Sequence, residues 1–346
     1  MPYGVGVIGA GPGVSALHLP TLARFPELRV VHVADGGSGR AARWSERTGA
    51  RSSTGTAELL ADPGVQVVVV CSPPDRHAAD VLAAVAAGKR AVMCEKPLAL
   101  TPEDAERVID ACRESGTALV VGTNHLFDPA WTRAKHHLVQ GGDSIQSISV
   151  TAALAPNGRY HGVVTEYTAA GAPASRPAPD WTDPAVASGV VRQLVLGLLV
   201  HDLPILRDLA PAIERVAFAR PIPPIGCTVG FLASGILVRL TAVMLPAGAD
   251  SLWRMTIGTS VDTVDVDFPP PFVHAGSAVV RVRGAEGEET RYPRSAEDGY
   301  VAEWRALLAL LDGAAATEFD ELLGDARYAI DLADAAAAAV REGMRT

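Results

Sequence analysis

Short apolar runs alternate with helical patterns through the first third of the chain. Tyr3–Ile8 reads as a strand, followed by a glycine-rich turn and a helix to about Phe25. Leu28–Ala34 reads as a second strand and Ala41–Thr48 as a helix. Val65–Cys71 is a near-continuous run of valines, the mark of a strand buried on both faces. Asp75–Ala87 predicts a helix stopped by Gly88, and Arg90–Cys94 a further strand. Thr101-Pro102 supplies an N-cap and a first-turn proline, opening a helix through Arg113, and Ala118–Gly122 is again a strand. Strands separated by helices predict a parallel, doubly wound sheet.

The pattern changes after Leu126. A helix over about Pro129–Gln140 precedes strand-like Ser144–Leu154, and a loop dense in Gly, Pro and Ala runs from Pro156 to Pro184. An apolar helix is expected over about Val190–Leu209. Arg215–Phe218, Thr228–Leu232, Gly235–Met244, Trp253–Ile257, Thr263–Asp267 and Ala278–Val282 follow without intervening helices. Strands joined by short turns predict a mostly antiparallel, open sheet. Helices over about Tyr300–Asp312 and Phe319–Glu342 end the sequence. The expected division is a nucleotide-binding domain over 1–125 and an α+β substrate-binding and oligomerisation domain over 126–346.

Composition narrows the function classes. The 346 residues suit two domains, and the net charge of −9 without a Lys/Arg run argues against nucleic acid. No apolar stretch spans a bilayer: Leu194–Val200 ends at His201 and Asp202. No signal peptide is read at the start, so a cytoplasmic protein is expected. Cys71, Cys94, Cys112 and Cys227 form no C-x-x-C pair or zinc-spaced cluster, so no metal is expected and the thiols read as buried apolar groups. Of 30 basic residues only Lys89, Lys96 and Lys135 are lysines. A chain that elsewhere uses Arg as its generic cation keeps lysine where lysine itself is needed.

Val5-Gly6-Val7-Ile8-Gly9-Ala10-Gly11-Pro12-Gly13-Val14 lies in the first strand–turn–helix. Gly9 suits the tight turn, and Gly11 lets backbone approach a pyrophosphate seated on the helix N-terminus, as in Rossmann domains. Gly9, Gly11, Pro12, Gly13 and Val14 are therefore candidate cofactor residues. Val14 stands where Gly or Ala is expected for close helix–strand packing; an extra residue in the turn would put Ser15 there. Asp35 ends the second strand, 26 residues after Gly9. A carboxylate there accepts hydrogen bonds from ribose hydroxyls and repels a 2′-phosphate, so NAD is expected rather than NADP. The competing arrangement has Arg40 swinging in across Gly36-Gly37-Ser38-Gly39 to bind a phosphate.

Further motifs read Cys71-Ser72-Pro73-Pro74-Asp75-Arg76-His77, Ala87-Gly88-Lys89 and Cys94-Glu95-Lys96-Pro97. With Val121-Gly122-Thr123-Asn124-His125, Phe127-Asp128-Pro129-Ala130, Val200-His201-Asp202 and Gly299-Tyr300, they resemble the glucose–fructose oxidoreductase/inositol dehydrogenase/MocA family. The resemblance is strong over 3–140 and thin over much of the remainder. It implies an oxidoreductase active on the hydroxyl or ketone carbon of a sugar, cyclitol or similar small molecule, working as a homodimer or homotetramer. It also implies that Glu95 and Lys96 help hold the nicotinamide ribose, across a cis Lys96–Pro97 bond. Ser72, Pro73, His77 and Asn124 become candidate cofactor residues; a structural hydrogen bond at the helix start is the alternative for His77. His125 is a further candidate at the cofactor edge.

Lys96 ends a parallel strand, where α/β sheets bind ligands. Its ammonium can polarise a substrate oxygen or, once deprotonated, act as base. His201 resembles the family's active-site histidine in D-x-G-x-H, but Gly197, Leu199 and Pro204 replace the Asp, Gly and following Asp of that pattern. It can serve proton transfer, substrate binding or packing. Asp202 reads either as the charge partner of His201 or as an exposed acid, and the second is favoured because neighbouring helical side chains do not face each other. Leu126 stands where the family often has Arg. Tyr160, His161, Trp181 and Asp183 lie in the irregular loop as candidates for a substrate cleft, or as a loop packing its own aromatics. Two alternatives to a dehydrogenase remain open: a non-catalytic nucleotide-binding regulator, and an imine reductase or redox-neutral eliminase.

Overall fold

Six strands form one parallel sheet in the computed structural model: β1 (Tyr3–Ile8), β2 (Leu28–Asp35), β3 (Arg51–Thr54), β4 (Val67–Val70), β5 (Ala91–Glu95) and β6 (Ala118–Gly122). Their order is β3-β2-β1-β4-β5-β6. The structure describes residues 1–141, 144–155, 179–245, 250–270 and 273–344. β4 is valine throughout and wholly buried, because connections cover both faces of the sheet. Crossovers run through α1 (Leu19–Leu22), α2 (Arg40–Thr48), α3 (Ala57–Ala61), α4 (His77–Ala86) and α5 (Pro102–Ser115). Thr101 Oγ1 accepts the N–H of Asp104 at 3.2 Å, the cap expected from Thr101-Pro102. β3 has no apolar alternation; Arg51-Ser52-Ser53-Thr54 is a strand through its pairing with β2.

The first compact unit comprises Met1–Gly122 together with Tyr300–Arg327. Phe319, Leu322, Leu323 and Ala326 pack on its core. Arg113 Nη2 donates to Asp320 at 2.6 Å and Tyr3 Oη to Asp312 at 3.0 Å, fixing the returning segment. Lys89 is buried, and its Nζ donates to the carbonyls of Asp62 at 3.1 Å and Val65 at 2.9 Å. A compact ammonium on a long stem reaches both where a planar guanidinium would not fit the same geometry.

The second unit comprises Thr123–Gly299 and Tyr328–Thr346. Its sheet is β7 (Ile145–Leu154), β8 (Ile213–Pro221), β9 (Gly226–Ala233), β10 (Ile236–Met244), β11 (Leu252–Thr259), β12 (Asp262–Asp267), β13 (Val279–Gly284) and β14 (Glu289–Tyr292). The order is β14-β13-β12-β11-β7-β10-β9-β8, antiparallel except for the β7–β10 pair. Alternation sets the faces: Val238, Leu240 and Ala242 are buried, while Leu237 and Arg239 are exposed. On the same face as Arg254, Asp267 links Arg254 and Arg281, and Asp265 accepts from Thr256 and Arg283. The helices are α6 (Pro129–Gly141), α7 (Pro184–Gly197), α8 (Leu203–Leu209), α9 (Gly299–Leu311) and α10 (Phe319–Gly343); α9 and the start of α10 fall largely in the first unit.

The single apolar helix expected over Val190–Leu209 is two helices. It breaks at Leu198, passes through a 3-10 turn over Leu199–His201, and restarts with Pro204 in the first turn of α8. A proline cannot supply the N–H that a continuous helix needs. Pro184–His201 is long and apolar enough to be a membrane-span candidate on composition, yet Ala187, Val191, Val195 and Leu199 are buried within the unit.

Candidate active site

The cofactor half is built on the C-terminal edge of the parallel sheet. Strand order reverses between β1 and β4, and such a switch point is where open α/β sheets bind ligands. Gly9 leaves β1 with φ +97°, and a Cβ on it would stand 2.3 Å from the Cys71 carbonyl oxygen at the end of β4. Only glycine permits that approach. A Cβ on Gly11 or Gly13 would meet no protein atom within 4 Å. Packing within the chain therefore does not demand glycine there, and the space over the turn suits a ligand that comes close to backbone.

The helix after the turn begins with a π-helical turn over Val14–His18, closed by the Leu19 N–H on the Val14 carbonyl. A π turn absorbs one extra residue, which accounts for the displaced packing position in the fingerprint. The expected occupant, Ser15, is not the one buried: Val14 and Ala16 are, and Ser15 Oγ donates to the Pro12 carbonyl at 2.9 Å. The wider turn carries the chain round so that two apolar side chains face inward and the hydroxyl stays on the rim.

Asp35 lies at the end of β2, beside β1. Its Oδ1 accepts the Gly37 N–H at 2.8 Å, and its Oδ2 accepts Ser38 Oγ at 2.6 Å and the Ala41 N–H at 3.0 Å. Burial opposes its ionisation, but the donors from Ser38, Ala41 and Gly37 outweigh it and hold the carboxyl below the ordinary carboxylate range. Each carboxylate oxygen can accept more than one hydrogen bond, as contact with a ribose hydroxyl would require.

Glu95 and Lys96 end β5, and the Lys96–Pro97 bond is cis. A residue absent from the candidate set, His18, dominates this corner: its Nε2 lies 2.8 Å from Glu95 Oε1, with Cys71 beside it and Trp304 edge-on at 6.4 Å. Burial opposes charging of His18, but Cys71 and Glu95 outweigh it and raise the imidazole pKa well above 6.5. Glu95 is likewise opposed by burial, yet His18, Lys96 and His77 keep its carboxyl below 4.5. Burial lowers the Lys96 pKa from 10.5, and the Glu95 charge offsets part of that effect. The sequence signal was available: His18 sits at the end of the helix turn that follows the glycine fingerprint.

His77 is buried, with Nδ1 2.7 Å from the Pro97 carbonyl and Nε2 2.8 Å from the Ser72 carbonyl. Both nitrogens are thus engaged by backbone, and the ring ties the Ser72 turn to the segment after Lys96. Ser72 Oγ is buried without a partner among the described residues, and Pro73 is exposed at the start of the same turn.

In the second unit, His201 is buried, its ring edge-on to Trp253 at 5.5 Å and tilted against His125 at 5.4 Å. Asp202, expected as an exposed acid, is fully buried. It accepts the Nδ1–H of His125 at 2.9 Å and the Nε1–H of Trp253 at 2.8 Å. Its partners come from a preceding loop and a distant strand, which helical periodicity does not reveal. Asn124 is buried with Oδ1 unpartnered among the described residues. Asp183 is exposed and caps α7 through the Ala185 N–H at 2.8 Å, and Trp181 is half-buried in the turn before it. Tyr160 and His161 lie outside the described residues.

Residues 3–123 match the model of an oxidoreductase family with an NAD-binding Rossmann fold, the Gfo/Idh/MocA family. It is 41% identical over 144 residues to inositol 2-dehydrogenase 2 of Saccharopolyspora erythraea, covering 41% of this chain and 42% of that protein. It is 30% identical over 138 residues to myo-inositol 2-dehydrogenase of Thermotoga maritima, covering 40% and 41%. The chain thus matches about two fifths of the length of these curated relatives. A 3-ketoreductase from Actinomadura kijaniata, solved with NADP and TDP-benzene, superposes with a TM-score of 0.74 at 21% identity over 97% of this chain and 98% of that one. That likeness is one of fold. Residues 3–123 are thus similar to the NAD-binding Rossmann domain of that oxidoreductase family.

Proposed function

We propose that this protein is an oxidoreductase of the Gfo/Idh/MocA kind that moves a hydride between a nicotinamide cofactor and the hydroxyl or ketone carbon of a sugar, cyclitol or related polar small molecule, with Lys96 as acid/base. The observation that carries this reading is the state of Lys96. It stands next to the sheet's switch point, its ammonium destabilised by burial and partly restored by ionised Glu95. A lysine held below its ordinary pKa exchanges a proton nearer neutrality than a solvated one.

The bound nicotinamide would supply the acceptor or donor of the hydride. The remaining work falls to the chain. Gly11 and Gly13 leave room for the pyrophosphate, and Asp35 takes the adenosine ribose hydroxyls and disfavours a 2′-phosphate, which supports NAD. Glu95 and Lys96 hold the nicotinamide ribose. In alcohol oxidation Lys96 takes the hydroxyl proton; in ketone reduction it returns one. His201 is the second proton carrier or a substrate ligand. The inositol dehydrogenases among the relatives support a cyclitol or sugar as substrate.

The test is a panel of cyclitols and sugars with NAD⁺ and NADP⁺, read by nicotinamide absorbance, on the wild type and Lys96→Met. Turnover with one or more members, and its loss in a variant that still binds NAD(H), are expected. Unchanged turnover in Lys96→Met would remove the acid/base assignment. Product formation without net cofactor reduction would favour the redox-neutral eliminase.

A further inference from the structure

The break between α7 and α8 places His201 at the end of a single 3-10 turn between the two helices, outside the regular hydrogen-bonding of either. No carboxylate stands at 197 or 204 to orient it: those positions are Gly197 and Pro204. The next residue supplies one instead. The fully buried Asp202 carboxylate receives Nδ1–H of His125 at 2.9 Å and Nε1–H of Trp253 at 2.8 Å. The two oxygens are divided, Oδ1 to the imidazole and Oδ2 to the indole. Both donor rings also pack on His201, at 5.4 Å and 5.5 Å between centroids. His125 is in turn stacked on Phe268 at 3.8 Å with planes 8° apart, and meets Trp253 edge-on at 4.7 Å. One carboxylate therefore locks two rings that form walls against the third.

From this geometry we propose that Asp202, acting through His125 and Trp253, is the positioning residue that fixes the His201 ring and sets the tautomer of His125. The proposal rests on the reading of His201 as a proton carrier or substrate ligand. A carboxylate accepts from both N–H groups at once. An asparagine in its place offers one acceptor and one donor, so either the indole N–H loses its partner or His125 gives up the proton on Nδ1 and carries it on Nε2. Nε2 of His125 is buried and has no partner among the described residues, so the protein provides nothing that would hold a proton there. The titratable groups in this corner are His125, His201 and Asp202, together with the buried Asp128, whose carboxyl feels the charge of His125 and accepts the N–H groups of Ala130 and Ala278; Trp253 and Phe268 close it.

The test uses the full chain and the variants Asp202→Asn, Trp253→Phe, His201→Ala and the double variant Asp202→Asn/His201→Ala, each checked by thermal melting. Imidazole ¹⁵N spectra are expected to show His125 protonated on Nδ1 in the wild type, and to show both a changed His125 tautomer and displaced His201 resonances in Asp202→Asn. Trp253→Phe keeps a ring wall and removes one hydrogen bond, so it guards against a failure of Asp202→Asn to fold; it is expected to displace His201 resonances in the same direction, by less. With myo-inositol and NAD⁺ as the kinetic probe, Asp202→Asn is expected to lower kcat about tenfold or more with KM for NAD⁺ little changed. The double variant is expected to be no worse than His201→Ala, as for residues acting as one unit. Unmoved His201 resonances in both Asp202→Asn and Trp253→Phe would overturn the proposal, as would additive kinetic losses. Full turnover in His201→Ala would instead remove the role of His201, on which the proposal rests. Absence of turnover with the probe would count against the substrate class alone, since the spectra decide the positioning claim.

Discussion

His18 Nε2 lies 2.8 Å from Glu95 Oε1, joining the helix that leaves the glycine turn to the strand end that carries Lys96. A π turn over Val14–His18 sets the angle at which the imidazole arrives. Glycine turn and lysine, far apart in sequence, are thereby one hydrogen-bonded unit.

Replacing His18 by Gln should cost about 2 kcal/mol of stability, the usual size for a buried charge-assisted hydrogen bond. The pH dependence has a definite sign. His18, whose folded pKa is raised, contributes fully below its ordinary 6.5 and loses that contribution as pH rises through the folded value. Glu95, whose folded pKa is depressed, contributes above its ordinary 4.5 and loses it as pH falls through the folded value. The melting-temperature gap between wild type and His18→Gln should therefore be widest between pH 4.5 and 6.5 and narrow on both sides. A gap independent of pH would mean that the pair is not ionic.

In the direction of alcohol oxidation, kcat/KM should climb with pH as Lys96 loses its proton, with the limb below the ordinary lysine value of 10.5. The Glu95 charge raises the Lys96 pKa, so Glu95→Gln should move that limb to lower pH. A limb that moves upward in Glu95→Gln would assign the base to another group.

Asp35 has two jobs that one variant should separate. Asp35→Ser removes the carboxylate that caps α2 and should lower stability by about 1 kcal/mol. It should also shift the preference for NAD over NADP by about tenfold toward NADP, through loss of charge opposite the 2′-phosphate. Isothermal titration with both cofactors and a thermal melt test the two effects independently.

Gly9→Ala and Gly11→Ala should differ in kind. At Gly9 the positive φ and the Cys71 carbonyl at 2.3 Å from a Cβ predict a destabilised or unfolded protein. At Gly11 a Cβ meets nothing in the chain, so the melting temperature should stay within about 1 °C while NAD affinity falls about tenfold or more. Equal melting temperatures for the two variants would contradict this.

The local pattern determined a good deal by itself. The valine run of β4, the Thr101-Pro102 cap, the strand–helix alternation of the first unit and the helix-free succession in the second are nearest-neighbour or periodic properties, and each corresponds to an observed element. Gly9, Asp35 and Lys96 could be marked as candidates because glycine turns and strand ends are encoded within a few residues, whereas Glu95 entered only through the family resemblance. The tertiary structure decided what depends on meetings across the chain. It brought His18 to Glu95, gave both nitrogens of His77 to backbone carbonyls, and turned Asp202 from an expected surface acid into the buried acceptor of His125 and Trp253. No periodicity records these contacts. A buried carboxylate is tolerable only where donors converge on it, and those donors come from segments that folding alone places side by side.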